Sequence, residues 1–378
     1  MTRQAHLSAL TGLRFFAAFY VVLYHTFPVP PLGAEQQPQQ LSAALARGFY
    51  AFCGHGFVAV SFFFTLSGFI IAYNYPADAV VDSDRFLRAR FARIYPVYLL
   101  GLLVALPVLI VHSLRDQLWA HAGIECMLAL TLTQAWLPSF WYAVNVPGWS
   151  LSVEAFFYVL YPRLARPLTL MAATRGRAMA TLLALYVCAL VGPALGTWCF
   201  GVTREDDSSL ANFLRYVPPL SLPEFAFGMV LGHMRGRGLD APQLAAKLYY
   251  PALILLGWAL SSESVPYLFL HNGLLLPLFA AVILHNARGD GATWLGQRWI
   301  TLLGEASYAL YILHLPVWGY VKATLERGGL DPLAPWVFPA NSLLVIAVSV
   351  VVFRYFEVPA RGRLLRAAPR RADVVSPS

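Results

Sequence analysis

The sequence is poor in charged residues. Asp, Glu, Lys and Arg make up 12% of its 378 residues, whereas soluble domains carry about 25%. Hydrophobic residues make up 58%, and the mean hydropathy is +0.60. A soluble globule would lack the polar side chains needed to cover this apolar surface, and a disordered chain would need the opposite composition. The composition therefore predicts a polytopic membrane protein.

Cysteine is equally scarce, and no metal-binding pattern is present. The four cysteines form no C-x-x-C pair and have no metal-ligand spacing, so we expect no metal. Lys and Arg total 27 against 19 Asp and Glu, a net charge of +8. Such an excess can indicate a nucleic-acid partner, but here most basic residues lie in short loops between apolar segments, which is typical of membrane topology. We expect a lipid bilayer around the chain and no nucleic acid.

Long apolar segments recur along the chain. A membrane-spanning helix needs about 20 mostly apolar residues. Segments that approach this length lie near residues 8–28, 56–75, 94–113, 123–142, 148–162, 178–200, 216–234, 249–262, 269–286, 299–322 and 337–356.

The basic residues reduce these eleven segments to ten crossings, because positively charged loops stay in the cytoplasm. If all eleven crossed, the loop that contains Arg163 and Arg177 would lie outside. A single crossing by 123–162, with a re-entrant or interfacial piece, places this loop inside. The sequence therefore predicts an all-α integral membrane protein of about ten transmembrane helices with both termini cytoplasmic. Residues 1–366 would form the membrane domain, and 367–378 a disordered cytoplasmic tail.

Two ionisable side chains share one face of the first span. Arg14 and His25 are eleven residues apart, which leaves them about 20° apart around the helix and about 16 Å apart along it. Ionisable groups are costly inside a bilayer, so the pair indicates function. A snorkelling arginine and a hydrogen-bonded histidine are the simpler interpretation.

Two further segments carry polar side chains into apolar surroundings. Glu154 lies in an aromatic run and shares a helix face with Ser150. It is either a structural partner for an arginine or a catalytic group. Ser307, Tyr311 and His314 are spaced i, i+4 and i+7, which also places them on one helix face.

The loop after the second span concentrates positive charge. It reads RFLRARFARIYP and contains the arginines at 85, 88, 90 and 93. The positive-inside rule explains most such runs. The functional interpretation is a phosphate-binding site, because the planar fork of arginine matches phosphate oxygens.

Together these segments resemble a known family, membrane-bound acyltransferase family 3. The resemblance runs from about residue 7 to 361. Its motifs occur here in the family order: Arg14-x10-His25, FFFTLSGFII at 62–71, Arg90-x-x-Arg93 before IYP, WSLSVE at 149–154, SYALYILHLP at 307–316 and FEVPAR at 356–361. Ser61 stands where many members carry an acidic residue before the FF pair, which puts one local polar contact in doubt.

The resemblance implies a multi-pass protein of the bacterial inner membrane that moves an acyl group, most often acetyl, from cytoplasmic acyl-CoA to a hydroxyl. The acceptor would be a cell-surface or exported glycan, or a small secreted metabolite of the macrolide type. The expected form is the stand-alone one, without the extracytoplasmic SGNH hydrolase domain of some members. The oligomeric state is not indicated.

The resemblance, together with the chemistry of acyl transfer, assigns roles to single residues. Transfer to a hydroxyl needs a base, an oxyanion donor and a bound acyl donor. We predict His25 as the general base, with an acyl-histidine intermediate as the alternative. Arg14 would hold the donor or an acidic partner, and Glu154 would orient or charge-pair a catalytic group. Arg90 and Arg93 would bind the phosphates of the donor. The predicted lining residues, some of them oxyanion donors, are Trp149, Ser150, Ser307, Tyr308, Tyr311 and His314.

Two functions of other classes remain open. Buried Arg, His and Glu residues also mark proton-coupled transporters, although the sequence has no pair of similar halves with broken helices. A scaffolding subunit of a polysaccharide export complex is the other alternative, and it would tolerate the loss of His25.

Overall fold

The computed structural model describes residues 7–27, 41–75, 82–288 and 294–366. The predicted tail at 367–378 lies outside the described residues. Within these ranges the chain is helical and contains no strand, as the sequence predicts. The helices are α1 (Ser8–Thr26), α2 (Leu41–Gly54), α3 (Val58–Asn74), α4 (Ser83–Asp116), α5 (Trp119–Leu130), α6 (Gly148–Met171), α7 (Arg175–Ala194), α8 (Ser209–Tyr216), α9 (Pro218–Gly236), α10 (Pro242–Ser261), α11 (Tyr267–His271), α12 (Leu276–Asn286), α13 (Arg298–Glu305), α14 (Ser307–Arg327), α15 (Val337–Val352) and α16 (Val358–Arg366).

Five helical stretches of the described chain are long and apolar enough to cross a membrane. They are Ser83–Val111, Arg175–Cys199, Pro242–Ser261, Tyr267–Asn286 and Val337–Arg366. Two bent pairs raise the number to seven if each pair is one span: α2 with α3, bent by 51°, and α13 with α14, bent by 58°. The chain is thus a multi-pass helical membrane protein. The count of ten crossings and the side of the termini stay predictions.

The region between α4 and α6 is irregular, as predicted for 123–162. Helix α5 has twelve residues, a length of about 18 Å, so it is too short to cross a hydrocarbon core of about 30 Å. It lies along α4, where two tyrosines donate hydrogen bonds to its last carbonyl groups. These bonds join Tyr95 to Leu130 at 3.0 Å and Tyr98 to Ala129 at 2.8 Å. Residues 131–147 then form turns before α6 begins.

Side-chain amides satisfy the backbone around this irregular segment, as buried backbone in a membrane protein requires. Gln134 is fully buried, and its Nε2 donates to the Gly148 carbonyl at 2.8 Å. Pro316 inside α14 has no N–H for the Ile312 carbonyl. Asn145 replaces that donor with its Nδ2, 3.0 Å away. The turn segment 131–147 is thereby fixed to both α6 and α14.

Small residues let α3 and α9 pack closely. Helix α9 contains the spacing Gly228-x3-Gly232, and Gly68 lies on the facing side of α3. A β-carbon at Gly228 would overlap the Thr65 carbonyl oxygen of α3. Such spacing is the usual device for close backbone approach between membrane helices. Helix α1 packs against α3, and α6 packs mainly against α9.

Candidate active site

Two cavities that share lining residues lie among α1, α3, α6 and α14; the first also reaches α4, and the second also reaches α8 and α11. The polar cavity has a volume of about 90 Å³ and is lined by Arg14, Val60, Phe63, Phe64, Leu66, Ser67, Ile70, Ile71, Arg93, Ile94, Ser150, Leu151, Glu154, Tyr158, Ser307, Tyr308 and Tyr311. The aromatic cavity, about 60 Å³, is lined by Val21, Tyr24, His25, Phe57, Val60, Trp141, Val146, Pro147, Trp149, Tyr216, Tyr267, His271 and Tyr311. Val60 and Tyr311 line both cavities, so these two side chains lie at the boundary between them.

The residues predicted from the sequence divide between the two cavities. Those in the polar cavity are Arg14, Arg93, Ser150, Glu154, Ser307, Tyr308 and Tyr311. His25 and Trp149 line the aromatic cavity, together with Tyr311. Arg90 and His314 line neither, but each contacts a lining residue, as described below. The structure thus brings all the predicted site residues into one region, but not into a single pocket.

Glu154 is held in place by two hydroxyl groups. Its Oε1 accepts a hydrogen bond from Ser67 Oγ at 3.0 Å and a second, short bond from the Tyr158 hydroxyl. Glu154 and Tyr158 are four residues apart on α6 and therefore share a face. Ser67 comes from α3, so the carboxylate ties α3 and α6 together at the wall of the polar cavity.

Four arginines gather at the polar cavity, and we call them the arginine cluster: Arg14, Arg90, Arg93 and Arg361. Arg14 and Arg93 line the cavity and interact electrostatically with each other. The Arg90 guanidinium lies 5.9 Å from the ring centre of Tyr158, and Arg361 interacts with both Arg90 and Arg93.

The four arginines of the cluster outnumber the carboxylates near Arg14, which are two. The carboxylates that interact with Arg14 are Glu154 and Glu357. Among the described side chains, none of the four arginines forms a salt bridge within 4.0 Å. Arginines left without a direct carboxylate partner favour an anion beside them, because the anion lowers their mutual repulsion.

Tyr311 reaches across the boundary between the cavities through Ser150. The two hydroxyl oxygens are 2.7 Å apart. Ser150 Oγ also lies 2.9 Å from the Pro147 carbonyl, to which it donates. A serine hydroxyl has one hydrogen, so the Tyr311 hydroxyl is the donor of the bond between them.

The hydroxyl hydrogens of two other lining residues are already engaged. Ser307 Oγ donates to the Gly304 carbonyl at 2.7 Å, and the Tyr308 hydroxyl donates to the Ile94 carbonyl at 2.6 Å. Each would have to release its carbonyl before it could donate to an oxyanion. Both residues therefore fit the walls of the cavity better than the oxyanion-donor role predicted for this group.

Stacked rings form most of the aromatic cavity. Trp141 stacks on Tyr216 with ring centres 4.1 Å apart, and Trp149 meets the same tyrosine edge-on at 4.9 Å. The Trp141 indole nitrogen is buried and has no hydrogen-bond partner. The walls of this cavity are therefore mainly ring faces, and the buried Trp141 N–H is left without an acceptor.

His25 lies at the edge of this cavity and contacts a second histidine behind it. Its Nδ1 is 3.0 Å from the Val21 carbonyl and 3.1 Å from His314 Nε2. His314 is fully buried. Its own Nδ1 is 2.8 Å from the Tyr311 carbonyl.

The sequence analysis missed several residues of the site. Ser67 and Tyr158 lie inside quoted or neighbouring segments, but only the fold shows that they hold Glu154. Arg361 belongs to a quoted motif, and the sequence predicts charge pairing with Glu357 for it but no binding role. The aromatic walls come from Trp141, Tyr216 and the α11 residues Tyr267 and His271, and no spacing rule connects these three segments. Their only signal is the high aromatic content of 14%.

Within the described ranges, no group of three or more His, Cys, Asp or Glu side chains could hold a metal ion. The absence of a metal stays a prediction. The site is built from hydrogen-bonded side chains, uncompensated arginines and a histidine pair inside a helical membrane protein.

Such a fold and site define a helical membrane protein with a buried polar site. The chain matches the family model described as acyltransferase domain over residues 7–354. It is 30% identical to Acyltransferase MdmB of Streptomyces mycarofaciens, in an alignment that covers 99% of this chain and 95% of that protein. The chain therefore belongs to acyltransferase family 3, and the predicted enzyme class is confirmed.

Two longer relatives match the same region. The chain is 22% identical to O-acetyltransferase OatA of Staphylococcus aureus and 23% identical to Putative peptidoglycan O-acetyltransferase YrhL of Bacillus subtilis. These alignments cover 97% and 98% of this chain, but 59% and 57% of the relatives. No solved structure matches the chain.

Proposed function

We propose that the protein transfers an acyl group, most often acetyl, from cytoplasmic acyl-CoA to a hydroxyl of a cell-surface or exported glycan. The observation that carries this proposal is the shared boundary of the two cavities. One cavity carries uncompensated arginines, and the other carries His25 among aromatic rings. A two-substrate transferase needs such an arrangement, because donor and acceptor must meet at one point.

The arginine cluster is assigned to the donor. Coenzyme A carries phosphate groups, and arginine binds phosphate through paired, charge-assisted hydrogen bonds. Arg90 and Arg93 bind these phosphates, and Arg361 joins them. In the proposed topology of ten spans, with both termini cytoplasmic in a bacterial inner membrane, the cluster faces the cytoplasm, where acyl-CoA is made. Arg14, with Glu154 beside it, holds the inner part of the donor.

His25 acts as the general base. It takes the proton of the acceptor hydroxyl while the hydroxyl oxygen attacks the thioester carbonyl carbon. The tetrahedral intermediate then collapses, the C–S bond breaks, and the leaving thiolate receives the proton from His25. Tyr311 lines both cavities and can turn its hydroxyl from Ser150 towards the oxyanion. In the acyl-histidine alternative, His25 is the nucleophile at the same position.

The aromatic cavity is assigned to the acceptor. Binding sites for small organic groups combine aromatic walls with a few well-placed polar groups. Here the walls are rings, and the free indole N–H of Trp141 can donate to an acceptor oxygen. The name of YrhL, a putative peptidoglycan O-acetyltransferase, supports a glycan as acceptor.

The test compares O-acetyl content in surface polysaccharide by NMR. Material comes from the wild-type strain, a deletion strain, and the deletion strain rescued with wild-type protein, His25→Ala or His233→Ala. His233 is a buried histidine bonded to Thr169 that lines neither cavity, and it serves as the matched control. We expect acetyl signals to disappear in the deletion strain and to return with wild-type protein and His233→Ala only.

Two results would change the proposal. Full rescue by His25→Ala would refute the role of this histidine and favour a scaffolding subunit. Unchanged acetylation in the deletion strain would exclude the glycan acceptor. The secreted metabolites of both strains would then be compared by mass spectrometry for an acylated small molecule.

A further inference from the structure

We infer that His314 is a positioning residue that fixes the His25 ring with its hydrogen on Nδ1, so that Nε2 keeps the lone pair needed for catalysis. The inference deepens the proposed function and rests on it, since it concerns the tautomer of the base. The sequence analysis predicted that His314 lines the site. The inference assigns it instead to the contact with His25 Nδ1.

The contacts form a chain from one helix to the other. The Tyr311 carbonyl of α14 lies 2.8 Å from His314 Nδ1, and His314 Nε2 lies 3.1 Å from His25 Nδ1 on α1. The Val21 carbonyl also lies 3.0 Å from His25 Nδ1. Carbonyl oxygens therefore stand at both ends of the chain, and a carbonyl can only accept.

These acceptors determine both tautomers. A neutral imidazole carries one hydrogen. The Tyr311 carbonyl requires that hydrogen on His314 Nδ1, which leaves His314 Nε2 as an acceptor. His25 Nδ1 must then carry the hydrogen, which it shares between His314 Nε2 and the Val21 carbonyl. No other assignment turns all three contacts into hydrogen bonds.

The consequence is a base with one free nitrogen. With Nδ1 engaged on the protein side, Nε2 is the nitrogen of His25 left to take the acceptor proton. Once His25 is protonated, its Nδ1–H still points to two acceptors, so the positive ring is stabilised where it forms. A carboxylate does the same for the histidine of a Ser-His-Asp triad. Here a neutral imidazole does so, which avoids a buried charge in the membrane.

Packing holds the two rings at this distance. Ala18 and Val22 of α1 pack with Leu310 of α14 and Val345 of α15 in a small apolar cluster. The two ring centres are 5.0 Å apart and inclined by 42°. His314 is fully buried, so its ring is shielded from solvent that could compete for the contact with His25.

Two substitutions separate positioning from simple packing. His314→Gln places an amide oxygen near the position of Nε2, where it can accept from His25. His314→Leu keeps an apolar body of similar size but cannot accept. His233→Gln and His233→Leu repeat the same changes at a buried histidine outside the site.

The full-length variants are assayed in lipid nanodiscs with radiolabelled acetyl-CoA and chemically de-O-acetylated surface polysaccharide. We expect His314→Leu to lower kcat by about 100-fold, with both KM values within about twofold of wild type. His314→Gln should recover at least about a tenth of the wild-type kcat, and both His233 variants should keep it. A kcat of His314→Leu within threefold of wild type would overturn the inference.

A spectroscopic measurement covers the case in which His314→Leu does not fold. Solid-state NMR of ¹⁵N-histidine-labelled protein in lipid, with His25→Ala as the difference control, reports which His25 nitrogen carries hydrogen. We expect a protonated Nδ1 and an unprotonated Nε2 in the wild type. The opposite tautomer would refute the inference. The proposed function fails separately, if His25→Ala remains active.

Discussion

The two cavities differ in almost every physical property, although two side chains line both of them. The polar cavity is held by a carboxylate with hydroxyl partners and by uncompensated arginines. The aromatic cavity has stacked rings, and His25 at its edge contacts His314, which lies outside the cavity. The arginines and the pair of histidines therefore lie at different cavities.

In the proposed reaction, this separation keeps the site of the anionic donor apart from the proposed base. Arginines beside that base would repel the positive charge that the proposed transfer places on His25. Here the cluster gathers at the polar cavity, while His25 faces rings across Tyr311. Substitutions in the polar cavity and in the aromatic cavity should thus affect different kinetic constants.

The largest effect is expected from His25→Ala. Removing a general base lowers turnover by about 10²–10⁴-fold, and binding of the donor should stay within about twofold of wild type, since the arginines are untouched. Turnover of radiolabelled acetyl-CoA and donor binding by calorimetry, both on nanodisc-embedded protein, check this. Loss of donor binding in this variant would show that the two cavities are one site.

Arg93→Ala should raise the KM for acetyl-CoA by about 10- to 100-fold, the value of one charge-assisted phosphate contact. The acceptor KM should stay unchanged. Arg88 is exposed on the same helix and donates to the Asp84 carbonyl, so Arg88→Ala is the matched control and should leave both constants alone. Equal effects of the two substitutions would show that the arginines of this segment serve membrane topology and not phosphate binding.

Trp141→Ala should raise the acceptor KM by about tenfold, because one stacked ring and one donor are lost. The KM for acetyl-CoA should not change. The adjacent Tyr142 does not line the aromatic cavity, and Tyr142→Ala supplies the control. If the donor KM rose instead, the assignment of the aromatic cavity to the acceptor would be wrong.

The smallest effect is expected from Ser67→Ala, which removes one of the two hydrogen bonds to Glu154. A single such bond contributes about 1 kcal/mol, so the donor KM should rise by about fivefold and the acceptor KM should not move. Ser349→Ala removes a buried serine bonded within its own helix. A similar rise in that control would mean that Ser67 acts through packing alone.

Periodicity and motif order predict the helical class and most of the site. Arg14 and His25 share a helix face by counting alone, and the two residues line the adjoining cavities. The membrane character follows from composition. These features depend on local spacing or on total apolar content, both of which a single sequence contains.

Contacts across the fold could not be predicted in this way. The bond between His25 and His314 joins residues 289 positions apart, and the aromatic walls combine Trp141 and Tyr216 with Tyr267 and His271 of α11. The role that we infer for His314 differs from the predicted lining role for the same reason, because helix periodicity gives a face but not the partner that the face meets. The lengths of the bent and shortened helices depend on tertiary packing as well.

The close pairing of α3 and α9 has a consequence for biogenesis. Gly68 and Gly228 are 160 residues apart, and a ribosome needs about 10 to 30 seconds to synthesise that length. During this time the glycine face of α3 lacks α9, the helix that it packs against in the folded protein. The close contact of the two helices therefore forms late in synthesis. The two cavities are complete only after α14, which carries Ser307, Tyr308 and Tyr311, has been synthesised.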